Sequence, residues 1–253
     1  MKRIIEICCG SYEDALAAYK GNADRIELNS ALFLGGLTPS VSSLVLTKKN
    51  TDLKVIVMIR NRGAGFNYNN IEFEVMMNDA KIMLENDADG IAFGFLDEDK
   101  EIDVNKTKQM VELIHSYNKE AVFHRAFDCT NDPYASIEKL IELKVDRILT
   151  SGKKSKAVEG KELLKNLQEK YGKEIEILAG SGVNASNGKQ LLEYTGLNQI
   201  HSSCKGWEND VTTKTDSVDF SYASEGMYDI VEYELVKELV NSLKWFLMGL
   251  NKI

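Results

Sequence analysis

The sequence predicts an α/β protein, a single (β/α)8 TIM-type barrel over residues 1–253, and three observations carry that prediction. Short β-rich runs and helical patterns alternate eight times with no composition break or linker between them. The second, fourth and sixth runs open alike, at Ala23-Asp24-Arg25-Ile26, Ala88-Asp89-Gly90-Ile91 and Val145-Asp146-Arg147-Ile148. The length, 253 residues, is that of one barrel. A doubly wound open sheet is the competing architecture.

Taken in order, residues 3–7 read as the first strand, and Ser11-Tyr12-Glu13-Asp14 as a capping box for a helix with Tyr12, Ala15, Leu16 and Tyr19 on one face. Residues 24–28 form the second strand; Thr38-Pro39 then supplies an N-cap with proline at the first helical position. The third strand, 54–59, leads through a long loop to a helix burying Phe73, Met76, Met77, Ala80, Met83 and Leu84. Residues 89–93 are the fourth strand, followed by a helix presenting Val104, Thr107, Val111 and Ile114. The fifth strand, 121–124, precedes an Asp132-Pro133 helix start with Ile137, Leu140 and Ile141 inward. The sixth, 146–150, precedes a helix burying Leu163, Leu164, Leu167 and Tyr171. After the seventh, 174–178, Asn184 caps a short helix ending at Gly196; residues 199–201 are the eighth. A last helix carries Val231, Leu235, Leu239, Leu243, Phe246 and Leu247. Between these, residues 205–229 are polar and aperiodic, a lid over the barrel mouth or a plain irregular excursion.

Composition narrows the function classes. A net charge of -8 argues against nucleic acid or an anionic membrane as partner, since both need a clustered positive field. No signal-like apolar segment follows Met1-Lys2-Arg3 and no membrane-length apolar run occurs, so a cytoplasmic protein is expected. Cys8, Cys9, Cys129 and Cys204 form no disulfide framework and no CxxC spacing, and read as reduced thiols.

Barrels place their chemistry at the C-terminal ends of the strands. By strand parity Glu6 and Glu27 point inward, and Arg60, His124 and His201 fall at inward or rim positions. Either Glu6, Arg25, Glu27 and Arg60 neutralise one another inside the barrel, or these groups do chemistry. In the second case Glu27, His124 and Asp128 form a proton-transfer set, while Arg60 holds an anionic group and Arg125 braces its loop or joins in anion binding. Gly180 and Gly182, with Ser151 and Ser202, lie in loops where backbone N–H groups hold anions; Glu6 and His201 complete the substrate-binding set. Cys8 and Cys9, with His124 or His201, offer ligands suited to Cu(I) or Zn(II), although adjacent strand residues face opposite sides.

Arg25-Ile26-Glu27-Leu28, Gly35-Gly36-Leu37-Thr38-Pro39-Ser40, Met58-Ile59-Arg60, Phe123-His124-Arg125-Ala126-Phe127-Asp128, Leu149-Thr150-Ser151-Gly152 and His201-Ser202-Ser203 resemble the copper homeostasis protein CutC family from residue 4 to about 203. The resemblance implies a cytoplasmic, often self-associating barrel with attributed copper binding and a role in copper homeostasis; beyond copper, no cofactor is expected from the sequence. Where that family usually carries a cysteine after Arg-Ile-Glu-Leu, this chain has Asn29; where a Pro and an Asp are usual after Met-Ile-Arg, it has Asn61 and Gly65, and Ser181 replaces a glycine. The alternative function is a lyase or isomerase acting on a small phosphorylated or carboxylated metabolite. The partner is accordingly a copper ion or a small anionic molecule.

Overall fold

Alternating side chains decide what each stave of the barrel buries. In the computed structural model, which describes residues 3–244, β1 (Ile4–Cys9) sends Ile5, Ile7 and Cys9 into the layer beneath the helices and leaves Glu6 and Cys8 facing the axis. The other staves are β2 (Arg25–Leu28), β3 (Lys54–Met58), β4 (Gly90–Phe93), β5 (Glu120–Phe123), β6 (Arg147–Thr150), β7 (Glu176–Ala179) and β8 (Gln199–Ser202). All are parallel in sequence order, and β8 closes on β1.

The outer helices are α1 (Tyr12–Lys20), α2 (Val41–Asn50), α3 (Asn70–Glu85), α4 (Val104–Ser116), α5 (Pro133–Glu142), α6 (Lys161–Tyr171), α7 (Gly188–Thr195) and α8 (Tyr233–Lys244). Ser11, Asn69, Asp103 and Asp132 cap α1, α3, α4 and α5 through their side chains. Two caps differ from expectation. Ser40 caps α2, because the Thr38 hydroxyl is occupied by the backbone N–H of Arg60, 3.0 Å away. Asn187 stands at the start of α7, while Asn184 closes a turn by accepting from the N–H of Ser186. On α1 the buried face is Asp14, Ala15 and Ala18, and Tyr19 is exposed. On α8 it is Val236, Leu239, Val240 and Leu243. Phe246 and Leu247, expected on that face, lie outside the described residues.

Residues 205–229 are more ordered than their composition suggests. β9 (Lys205–Asn209) and β10 (Met227–Val231) pair as an antiparallel ribbon. The ribbon is anchored where the Val231 N–H donates to Asp14, 2.7 Å away, and where Tyr222 stacks on Phe33 with ring centroids 4.5 Å apart. Period-2 alternation does not announce these strands because neither face is uniformly buried.

The barrel interior is divided. Ile56, Met58, Ala92 and Val122 make a small apolar cluster on β3, β4 and β5. The remaining arc places Glu6, Arg25, Glu27, Arg147, Gln199 and His201 inside, all buried.

Candidate functional site

Register brings the charged arc together. Glu6 lies opposite Arg25 on β2 and opposite His201 on β8, and Cys8 lies opposite Glu27. One ligand-type atom from each of Cys8, Glu27 and His201 falls within 4.8 Å of the other two. Cys8 is the half-buried member of this trio. Below it, His201 Nδ1 is 2.8 Å from Glu6 Oε1, and Glu6 Oε2 holds Arg25 Nε. Asn29 Nδ2 donates to Glu27 Oε2 at 3.0 Å and lies 3.6 Å from the Cys8 sulfur. Gly36 permits this seat, since a Cβ there would stand 2.4 Å from Asn29 Oδ1.

The electrostatics follow from these neighbours. Burial disfavours a charged Glu6, but Arg25 and His201 overcome it and hold the carboxyl far below its ordinary range. Burial likewise opposes a charged His201, yet contacts with Cys8, Glu6 and Glu27 raise it well above an ordinary imidazole. Burial pushes the Glu27 carboxyl and the Cys8 thiol up.

A second group forms on the β3 and β5 side. Arg60 donates to the carbonyls of Leu34 (3.0 Å), Gly36 (3.1 Å) and Ala64 (2.6 Å), and its guanidinium lies 5.2 Å from the centre of the Phe66 ring. The His124 ring sits 5.1 Å from that same ring. His124 Nδ1 accepts from the Ala126 N–H at 3.1 Å, so the neutral ring carries its proton on Nε2. Burial and Arg60 push the imidazole down to about 3. Gly94 makes room for it, because a Cβ there would lie 2.4 Å from His124 Cε1.

A third group is Asp128 with the loop after β6. Asp128 accepts from Thr150 Oγ1 (2.5 Å), the Ser151 N–H (3.0 Å), the Lys153 N–H (3.0 Å) and Arg125 Nε (2.9 Å). Arg125 Nη2 also reaches Ser151 Oγ at 2.9 Å. Asp128, Arg125 and Ser151 are therefore engaged in pinning one loop to another.

Of the residues singled out from sequence, Glu6, Cys8, Glu27 and His201 converge. Glu27, His124 and Asp128 belong to three separate groups among the described residues, and no hydrogen bond joins His124 to Asp128. Gly182 and Ser202 line a cavity of about 460 Å3 beside α8, with the Ser202 hydroxyl donating to the Val183 carbonyl at 2.6 Å. Gly180 packs against Leu149 and His201. Cys9 turns away into the helix layer, fully buried, with its thiol directed at the Ile7 carbonyl. Arg147 and Gln199 are interior groups that the sequence signals only by parity, each lying two residues before an inward residue, Leu149 and His201 respectively.

The fold and this cluster define a class: a parallel eight-stranded barrel with a thiol, an imidazole and a carboxyl gathered at the C-terminal end of β1, β2 and β8. Residues 3–206 match the CutC family, and the chain belongs to it. A CutC family protein of Treponema denticola is 42% identical over 246 residues, 96% of this chain and 99% of the relative. The human copper homeostasis protein cutC homolog is 40% identical over 202 residues, 80% of this chain and 73% of its own. A solved CutC structure from Streptococcus agalactiae superposes with a TM-score of 0.75 at 31% identity, covering 79% of this chain and 98% of that one. No helix among the described residues is long and apolar enough to cross a membrane.

Proposed function

We propose that this protein binds copper at Cys8, Glu27 and His201 and serves copper homeostasis through that site. The observation that carries the reading is the approach of three ligand-type atoms within 4.8 Å, at the strand ends where barrels place their sites. The donor set fits the ion: thiolate sulfur and imidazole nitrogen are ligands copper takes, and a bound copper would be held by them with the Glu27 carboxylate at its side. The names of the relatives point the same way. Four free cysteines fit a reducing compartment, and we place the protein in the cytoplasm. The lyase or isomerase reading has less behind it, since the acid, base and anion-binding groups it needs are dispersed over three clusters.

Anaerobic titration of the reduced protein with Cu(I), in competition with a chromophoric chelator, tests the proposal. Cys8→Ser is expected to weaken binding at least a hundredfold, and Cys9→Ala to leave it within about threefold, because the Cys9 thiol faces the helix layer. Equal affinity in Cys8→Ser and the unaltered protein would remove the proposed site.

A further inference from the structure

We infer that Glu6 is the positioning residue of this centre, holding His201 in the one tautomer that leaves its Nε2 free to take a metal ion. The inference rests on the copper reading above and adds to it the reason the imidazole is usable as a ligand.

The geometry is closed on both sides of the carboxylate. Glu6 stands between its register partners, His201 on β8 and Arg25 on β2. Its Oε1 meets His201 Nδ1 at 2.8 Å while its Oε2 is taken by Arg25 Nε. Arg25 cannot swing aside, because its Nη2 donates to Gln199 Oε1 at 2.9 Å, and Gln199 Nε2 is tied in turn to Glu176 Oε2 at 2.8 Å. Glu6 is only 2% exposed, so water does not offer either oxygen an alternative partner. An ionised carboxylate accepts and never donates. In the neutral ring, the form a metal ion takes, the nitrogen facing it is therefore the one bearing the proton, and the lone pair is on Nε2. Carboxylate support of this kind behind a ligating histidine fixes ring orientation and raises ligand basicity.

The arrangement also dictates what an amide would do in its place. In Glu6→Gln the side chain keeps its shape, but Arg25 demands an acceptor at the Oε2 position, so the amide oxygen turns to Arg25 and the NH2 turns to His201. An NH2 donates to Nδ1, which places the ring proton on Nε2 and removes the lone pair from the metal's side. The substitution inverts the tautomer rather than merely deleting a charge.

The test uses the full chain labelled with 15N-histidine, whose three histidines give few signals to assign. With Cu(I) bound to the unaltered protein, long-range 15N–1H correlation spectra should show His201 coordinated through Nε2 and protonated on Nδ1. Glu6→Gln should bind Cu(I) about 10- to 100-fold more weakly, and its metal-free neutral His201 should carry the proton on Nε2. Coordination through Nδ1 in the unaltered protein overturns the inference without any variant having to fold. So does Cu(I) affinity within twofold of the unaltered protein in Glu6→Gln with a native far-UV spectrum, and if Cys8→Ser still loses binding, the copper site itself survives that result. No Cu(I) binding by the unaltered protein sinks both.

Discussion

The two histidines at the barrel mouth have the same chemistry and opposite fates. His201, on β8, sits among Glu6, Cys8 and Glu27 and is held toward its charged form. His124, just past β5, sits between Phe66, Phe123 and Arg60 and is held neutral. Both are buried, so desolvation pushes both down, and only the neighbours differ. The division runs through the whole interior: β3, β4 and β5 fill their arc with Ile56, Met58, Ala92 and Val122, and the other staves with carboxylates, arginines and Gln199. Charge is gathered on one side of the axis, and that side carries the ligand-type atoms.

The most damaging way to break this contrast is to remove one partner of a buried charge in the polar arc. Arg25→Met leaves Glu6 Oε2 and Gln199 Oε1 without their donor in the interior, with only His201 still on Glu6, and should cost about 3 kcal/mol in urea unfolding. A loss under about 1 kcal/mol would mean that the arc is not held together by that pair.

Acid should separate the two histidines next. His124 has a folded-state value near 3, below the ordinary 6.5. Its contribution to stability is complete above 6.5, and falls by roughly 1.4 kcal/mol per pH unit as the unfolded chain takes up a proton that the folded one refuses, down to about pH 3. His201 runs the other way: its contribution is complete below 6.5 and is lost as pH rises through its elevated folded-state value. Unfolding free energy measured from pH 7 to 4 should therefore fall less steeply in His124→Gln than in the unaltered protein. Parallel curves would contradict the neutral assignment.

Arg60→Lys probes the apolar side more gently. A lysine keeps the charge but cannot meet the Leu34, Gly36 and Ala64 carbonyls with one planar fork, and about 2 kcal/mol of stability should go. The Cu(I) affinity should not change, because Arg60 is not among the proposed ligands. A tenfold drop in affinity would show that the two sides are not independent.

The smallest effect sharpens the polar side. Asn29 Nδ2 lies 3.6 Å from the Cys8 sulfur, so Asn29→Cys places a second thiol beside the first. Chelator competition should register Cu(I) binding about tenfold tighter, near 1.4 kcal/mol.

Some of this was legible residue by residue. Glu6 and Glu27 were assigned inward by parity, and each of the eight strands falls within about two residues of its expected bounds, because a strand flanked by helices must alternate apolar and inward positions. Asp128 shows where that logic stops. It lies four residues after His124, and the expected pairing assumed they face one another; the 3-10 turn Arg125–Cys129 instead aims the carboxylate at the loop after β6. The β9–β10 ribbon escaped notice because it has no buried face to impose a pattern, and Arg147 and Gln199 because a polar residue in a strand reads first as solvent-facing.

The chain by itself determined the alternation of strands and helices, the parity that turns Glu6, Cys8 and Glu27 inward, and the motifs that mark the family. These depend on local periodicity and covalent order. What only the tertiary structure decided is that closing β8 against β1 brings His201 to within 2.8 Å of Glu6, 195 residues away in sequence. Cys8, Glu27, Asn29 and His201 meet because of the barrel's register, a long-range quantity that no window of sequence contains, and the fates of the two histidines were set with it.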